Sequence, residues 1–113
     1  MRLRGQPVSA GSATGRALVA EFLDAAAAGS AADILIVPSL VVALIPAFRR
    51  VAGVISERGG TLSSAATVLR EAGIPVVVLA GATTHLRTGE RLTFDGSTGT
   101  VRRFGETSTQ RDP

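Results

Sequence analysis

The segment RGGTLSSAATVLREAGIP, residues 58–75, joins a glycine-rich turn to the start of a helix. The apolar run VAGVISE before it and the run IPVVVLA at its end each predict a buried strand. This order of a strand, a turn with Gly59 and Gly60, and a helix favours an anion site. Free backbone N–H groups and the positive end of the helix dipole meet at the helix N-terminus. Arg58 can add a bidentate charged contact. The segment therefore predicts a phosphate-binding loop.

The helix in this segment has clear start and stop signals. The paired serines predict its beginning, and Gly73 predicts its end. Between them, small and apolar residues recur at helical spacing, which indicates one buried face. That predicted face consists of Ala65, Val68, Leu69 and Ala72.

The same loop also has a purely structural interpretation. Two glycines can simply make a tight turn, while Thr61 or Ser63 caps the helix and Arg58 stays in solvent. A short glycine pair is a weak signal for a ligand. From these residues alone, the structural interpretation leads.

The chain upstream of this segment alternates between predicted strands and helices. We predict a loop followed by a strand near residues 15–20, a short helical turn that ends at Gly29, and a buried strand in DILIVP that Pro38 stops. SLVVALIPAFRR predicts a helix from Ser39 that Pro46 bends or interrupts.

Downstream, GERLTFDGSTGTVRRF alternates around DGSTG and predicts a β-hairpin. Continuous apolar strands like those of the middle region are typical of a sheet covered on both faces. The predicted fold class is therefore α/β: a single domain over residues 1–104 with a mixed sheet and short flanking helices. The polar tail, residues 105–113, is predicted to be disordered.

Composition narrows the classes of function. The chain of 113 residues has no Cys and one His, so we expect no disulfide, no thiol nucleophile, no metal site and no cofactor. Its 12 basic residues are all Arg, scattered along the chain without interleaved aromatic residues, so we expect no nucleic-acid partner. The longest apolar stretch is broken by two prolines, and we expect a cytoplasmic protein without a membrane segment.

The order of the motifs resembles the mobile phosphohistidine domain of phosphoenolpyruvate (PEP)-utilising enzymes. This family includes pyruvate phosphate dikinase, PEP synthase, the first enzyme of the sugar phosphotransferase system and rifampicin phosphotransferase. ERGGTLSSAATVLREAGIPVVV and the later GATTHLRTGERLTFDGSTGTV carry the resemblance, together with VSAGSATGRALV and ADILIVPS upstream. It covers residues 5–101. The family motif reads Gly-Gly, two residues, Ser or Cys, His, a small residue and Ala, before a helix that ends near Arg-Glu-x-Gly-Ile-Pro.

The resemblance implies a swivelling domain with a β/β/α core. Such a domain carries a phosphoryl group on histidine between two distant active sites, commonly on a nucleotide-binding domain and on a pyruvate or acceptor domain. A chain of this length has room for neither of those domains. The resemblance therefore implies a separate nucleotide-binding or pyruvate-binding chain as the partner.

One position departs from the family motif. Residues 59–63 match it, and the position of the phosphorylated histidine falls on Ser64. The chain's one histidine, His85, falls in a variable loop, where we expect a surface residue. A serine hydroxyl needs an adjacent base to act as a nucleophile, and the acidic residue close in sequence is Glu57. A phosphoserine also has a much lower transfer potential than a phosphohistidine, so Ser64 would hold a phosphoryl group rather than pass it on.

Three roles are open for Ser64. It can cap or fill the start of the helix, contact a phosphate without a covalent bond, or accept a phosphoryl group; the first role leads. We therefore assign no catalytic residue. The predicted phosphate loop comprises Arg58, Gly59, Gly60, Thr61, Ser63 and Ser64.

A second departure follows the strand DILIVP. The family usually carries a polar segment there near its active centre, whereas this chain has LVVALIPAF. One face of this segment is expected to join the core, and the rest can form an exposed patch for a partner.

Three functions are consistent with these observations. The first is a stand-alone mobile-domain-like protein that is degenerate as a phosphocarrier and serves as a binding or regulatory subunit of a separate phosphotransferase chain. The second is an active component of a split phosphotransferase of the PEP synthase or pyruvate phosphate dikinase type. The third is the small swivelling subunit of an aconitase-like dehydratase, in which serines of such a loop contact the substrate. The motif order favours the PEP-utilising group.

Overall fold

The structure is a computed structural model that describes residues 2–21, 23–60 and 62–104. The tail predicted at residues 105–113 lies outside these described residues. In chain order the elements are β1 (Arg2–Arg4), β2 (Gln6–Ser9), β3 (Ser12–Val19), α1 (Leu23–Ala27), β4 (Asp33–Ser39), a 3₁₀ turn (Val42–Leu44), α2 (Ile45–Phe48), β5 (Gly53–Arg58), α3 (Ser64–Ala72), β6 (Val76–Val78), α4 (Ala82–His85), β7 (Arg91–Asp95) and β8 (Thr100–Arg103).

The strands form one mixed sheet in the order β1-β8-β7-β3-β4-β5-β6-β2. The four central strands, β3 to β6, are mutually parallel, and the remaining pairings, β3–β7, β7–β8, β8–β1 and β6–β2, are antiparallel. Successive side chains of a strand face opposite sides. In β4, Leu35 and Val37 are buried on one side, and Ile34 and Ile36 are buried on the other. The predicted α/β class with a mixed sheet covered on both faces is confirmed.

Helices cover one face of the sheet. Ala26 of α1, Phe48 of α2 and Leu69 of α3 are all fully buried in a core that they share with Leu35 and Val54 of the sheet. Each of these three helices connects one parallel strand to the next. Their position on the same face is consistent with the right-handed crossovers that parallel strands adopt. This face therefore forms the β/α half of the molecule.

The sheet curls around a second core on its other face. β1 and β2 are separated only by Gly5 and yet lie at opposite ends of the strand order, so the two ends of the sheet must meet. The Gly5 N–H donates to the Gly99 carbonyl oxygen at 2.7 Å, one residue beyond the β1–β8 pairing, and the same glycine packs against Val78 of β6 at the other end of the strand order. Ile55, Phe94 and Val101 fill the enclosed core together with α4. The layers are thus β/β/α, as the family resemblance implied.

Pro38 does not stop its strand, contrary to our expectation. β4 continues to Ser39, which pairs with Arg58 of β5. The Ile36 carbonyl accepts a hydrogen bond from Ala20 N–H on the β3 side of the strand. The backbone nitrogen of Pro38, two residues later, is directed toward the same side. Because β3 has ended by then, the missing N–H of proline costs no ladder bond.

Several short elements differ from the sequence prediction. The stretch from Gly5 that we predicted as a loop contains β2 and the start of β3, and β1 precedes it. These strands gain their hydrogen bonds from distant partners in β6, β7 and β8. The turn of α4 was not predicted either. The helix predicted from Ser39 is a 3₁₀ turn followed by α2, and Pro46 lies in the first turn of α2, where its missing N–H is tolerated.

The helix α3 begins and ends as the sequence predicted. Gly73 terminates it in the left-handed conformation, at φ 76°. Its buried face differs in part from the predicted face: Ala65, Ala66 and Leu69 are buried, whereas Ala72 is exposed. Within the described part of the chain, no helix is long and apolar enough to cross a membrane.

Candidate functional site

The predicted phosphate loop lies where β5 ends and α3 begins. Gly59 adopts φ 142°, a conformation that side chains with a Cβ rarely reach. A Cβ there would also lie 3.1 Å from Leu40 Cδ1, so the glycine lets the loop pass close to the residue after β4. Thr61, which we predicted as part of the loop, lies outside the described residues.

Ser63 is the cap of α3. Its Oγ accepts a hydrogen bond from Ala66 N–H at 3.1 Å, and its backbone is extended, as is typical of an N-cap. The capping bond that we considered for Ser64 is therefore made by Ser63, in agreement with the structural interpretation of the loop. Ser64 is the first residue of the helix and is exposed to solvent. Its hydroxyl has no hydrogen-bond partner among the described residues.

The first turn of α3 presents donors that can receive an anion. The backbone N–H groups of Ser64 and Ala65 lie at the start of α3, where N–H groups have no intrahelical acceptor. Neither donates to a described residue. Arg58, at the end of β5, is exposed, and its guanidinium forms no ion pair with a described acidic residue. The loop thus combines free N–H groups, a helix N-terminus and an available cation.

Glu57 is not placed to activate Ser64. Side chains alternate along β5, so Glu57 shares a face with Ile55, which packs in the second core beside α4. Thr83 of α4 donates its hydroxyl hydrogen to Glu57 Oε1 on that face. Helix α3 covers the opposite face of the sheet. The sequence proximity of Glu57 to Ser64 therefore does not bring the carboxylate to the hydroxyl.

His85 is exposed in the last turn of α4. Because α4 and α3 lie on opposite faces of the sheet, the imidazole is separated from Ser64 by the sheet itself. The expectation that His85 is a surface residue is confirmed. Among the described residues, no group of three or more acidic or histidine side chains could hold a metal ion.

A groove that the sequence did not reveal lies beside the loop. It has a volume of about 320 Å³, and its walls include Glu21 after β3, Pro38 and Ser39 at the end of β4, and Leu44 of the 3₁₀ turn. Ser39 pairs with Arg58 in the sheet, so the groove and the loop share the carboxyl edge of the parallel strands. No sequence signal marks this groove, since its walls come from two separate connections.

Apolar side chains are exposed near the same edge. Val41 and Val42 are 43 % and 59 % exposed, and Leu62 in the loop is 91 % exposed. Leu40 and Phe48 from the same apolar segment as the valines are buried in the core between the sheet and the helices. The expectation that LVVALIPAF divides between core and exposed patch is confirmed.

Comparisons with known proteins agree with this architecture. Residues 29–99 match the family model described as "PEP-utilising enzyme, mobile domain". A probable phosphoenolpyruvate synthase of Pyrococcus abyssi is 39% identical over 103 residues, which is 88% of this chain and 12% of that protein. A rifampicin phosphotransferase of Streptomyces sviceus is 40% identical over 101 residues, 88% of this chain and 11% of that protein. The chain thus spans only about an eighth of the length of these relatives.

Solved structures share the fold. Aconitase X of Thermococcus kodakaraensis superposes with a TM-score of 0.72 at 20% identity, over 92% of this chain and 98% of that one, a likeness of fold alone. The N-terminal domain of the nitrogen Enzyme 1 superposes with a TM-score of 0.56 at 26% identity, over 79% of this chain and 38% of that one. With the glycine loop, the capped helix and the family match in agreement, the chain belongs to the family of PEP-utilising enzyme mobile domains.

Proposed function

We propose that this chain no longer carries phosphate covalently and acts as a binding or regulatory subunit of a separate phosphotransferase chain in the cytoplasm. One observation carries the proposal. Our alignment with the family motif assigns Ser64 to the position of the phosphorylated histidine, and its exposed hydroxyl is hydrogen-bonded to no base among the described residues, while Glu57 lies on the other face of the sheet. An unassisted serine hydroxyl is a weak nucleophile at neutral pH.

The loop keeps the parts that bind an anion without a covalent bond. The N–H groups of Ser64 and Ala65 and the guanidinium of Arg58 are available to phosphate oxygens. A phosphate group on the partner chain or on its nucleotide would complete the hydrogen bonding of the helix start. The predicted phosphate loop therefore retains a recognition role in this proposal.

The exposed apolar residues supply a surface for the partner chain. Val41, Val42 and Leu62 project from two neighbouring connections at the carboxyl edge of the sheet, next to the anion loop. Apolar side chains beside a polar anchor are typical of protein interfaces. Docking at this edge would place the loop against the partner.

Titration with inorganic phosphate, followed by backbone amide NMR, tests the anion site. We expect the largest shifts at Ser64 and Ala65, and we expect Arg58→Ser to weaken the binding several-fold. Arg49→Ser, at the end of α2, is the control of equal charge and leaves the binding unchanged. Shifts spread evenly over the chain, or equal losses in both variants, would contradict a built anion site.

Affinity purification of the natural protein from its own cells tests the partner. We expect a nucleotide-binding or pyruvate-binding chain to co-purify, and Val42→Ser with Leu62→Ser to reduce its recovery. Recovery of the chain alone would count against the proposal.

An active component of a split phosphotransferase is the second candidate. The exposure of Ser64 favours it, because a donor on another chain could reach the hydroxyl and supply the missing base. Turnover of the reconstituted pair separates the two functions. A Ser64→Ala variant that abolishes turnover supports the active component, and a variant that turns over normally supports the binding subunit.

A further inference from the structure

The outer face of the β1-β8-β7-β3 half of the sheet collects arginines that are scattered in the sequence. Residues alternate between the enclosed core and solvent along each of these strands. Leu3, Phe94 and Val101 point inward, so their neighbours point outward. We name the outward surface the arginine face and define it by Arg2, Arg4, Arg16, Arg91 and Arg102, all of which are exposed.

The strand register places four of these arginines in direct cross-strand pairs. Arg2 is the partner of Arg102 between β1 and β8, and Arg16 is the partner of Arg91 between β3 and β7. Side chains directly opposite in an antiparallel pair lie about 5 Å apart at Cβ, and like charges there repel each other. The molecule holds two such unfavourable pairs on one face. Thr93 and Thr14 continue the cross-strand row of Arg2 and Arg102, and the pair of Arg91 and Arg16 lies in the next row.

None of the five arginines of the face forms an ion pair with a described acidic residue. The ion pair found among the described residues is Arg103 with Glu90, at 2.8 Å. Two acidic residues lie at the face: Asp95 of β7, and Asp33 of β4, which is the cross-strand partner of Arg16. The Asp95 carboxylate accepts a hydrogen bond from Ser97 N–H and the Asp33 carboxylate from Ser30 N–H, each at 2.8 Å within its own turn. Five arginines against the two carboxylates of Asp33 and Asp95 leave this surface with a net positive charge, which attracts an anionic partner.

The chemistry of the face favours carboxylates on a protein over nucleic acid. A single-stranded nucleic acid needs aromatic platforms for its bases. The aromatic residue beside the face, Phe104, lies under the Arg102 guanidinium at 6.0 Å from the ring centroid, and so that ring is already covered. In the relatives, a segment of this size belongs to a protein about eight times longer, so protein is what lies beside such a domain there.

We propose that the arginine face docks onto an acidic surface of a partner protein, with guanidinium groups paired to Asp and Glu carboxylates. The proposal deepens the proposed function, on which it rests for the existence of a partner. The site lies on the outer face of the β1-β8-β7-β3 half-sheet, whereas the anion loop lies at the carboxyl edge of the parallel strands. The partner is thereby held at two places, and the arginine face supplies orientation and a salt-sensitive association rate.

A peptide of ten glutamates, titrated into the full chain at low salt and followed by amide NMR, tests the proposal. We expect shifts on β1, β8, β7 and β3, and a Kd that rises at least fivefold between 30 and 300 mM salt. Arg16→Thr with Arg91→Thr weakens binding at least fivefold, and so does Arg2→Thr with Arg102→Thr. Arg2→Thr with Arg102→Thr keeps or gains thermal stability, because it removes a like-charged pair. Arg16→Thr with Arg91→Thr leaves the stability nearly unchanged, because it also removes the cation opposite Asp33.

The control is Arg49→Thr with Arg50→Thr at the end of α2, which removes the same charge from the helical layer and leaves binding within twofold. An equal loss in the control, or shifts that avoid the face, would overturn the proposal. Tighter binding of a ten-nucleotide deoxythymidine strand than of the peptide would also overturn it, in favour of nucleic acid. The experiment uses no phosphate and no phosphoryl donor, so its failure would leave the phosphate titration and the turnover test of the proposed function unaffected.

Discussion

Two neighbouring serines have different surroundings at the start of α3. Ser63 Oγ satisfies the Ala66 N–H, whereas the Ser64 hydroxyl faces solvent. Loss of an N-cap hydroxyl costs about 1 kcal/mol of stability. We therefore expect Ser63→Ala to lower the free energy of unfolding by about 1 kcal/mol, and Ser64→Ala to change it by less than about 0.5 kcal/mol, in urea titrations.

Equal losses in the two variants would show that both serines support the helix start, and a larger loss for Ser64→Ala would reverse the assignment. Ser64→Ala also serves as the folded background for functional tests. Its stability decides whether a change in activity reports on chemistry or on folding.

The cap at Ser63 could be anticipated from sequence, and the isolation of Ser64 from Glu57 could not. The cap depends on residues three apart, which sequence displays directly. The isolation depends on which face of β5 each side chain takes and on which helix covers that face. Thr83, which engages Glu57, is 26 residues away in the chain.

Helix α3 is held by a small set of buried side chains. Leu69 is fully buried in the core shared with α2 and the sheet, whereas Val68 on the adjacent flank is half-buried. Leu→Ala changes at buried sites cost about 2–5 kcal/mol. We expect Leu69→Ala to lower the free energy of unfolding by about 3 kcal/mol and the control Val68→Ala by about 1 kcal/mol or less, measured by chemical denaturation. Similar losses at both positions would mean that the buried face of α3 is wrongly assigned.

At the scale of elements, the sequence predicts what local pattern determines. The apolar strands, α3 with its glycine stop and the hairpin around DGSTG are all predicted, because hydrophobic periodicity and turn residues specify them locally. β1 and β2 have three and four residues and exist through pairing with strands far along the chain. Such strands carry no local sequence signal. The arginine face could not be predicted from the sequence either, because strand pairing brings its residues together.

At the scale of the whole molecule, closure of the sheet depends on Gly5. A Cβ at this position would lie 2.4 Å from the Val78 carbonyl oxygen and 2.8 Å from Val77 Cγ1, where it clashes with backbone. Forcing atoms into such a space costs about 1–3 kcal/mol or more. We expect Gly5→Ala to lower the melting temperature by several degrees.

Gly60→Ala is the control for this change, because the nearest atom to a Cβ there is Leu62 N at 3.9 Å. It should leave the melting temperature nearly unchanged. Equal melting temperatures for the two variants would contradict the closed sheet, since an open sheet would accommodate the added methyl group at Gly5.

In our proposal, the molecule keeps the features that bind a partner and has lost the group that accepts a phosphoryl group. The fold and the capped helix of a PEP-utilising enzyme mobile domain are present, and we propose that the loop before the helix still binds an anion. The reacting group is the feature that we propose has been lost, at the single position of Ser64. Restoring an imidazole there should restore the ability to accept a phosphoryl group, if the scaffold and its partner are otherwise competent.

Phosphoryl labelling of the natural chain and of Ser64→His, side by side, tests this account most directly. Each protein is incubated with its co-purified partner and with labelled ATP or labelled PEP, and the label is located by mass spectrometry. We predict an acid-labile label at position 64 of the Ser64→His chain and no label on the natural chain. A label on Ser64 of the natural chain would contradict the account.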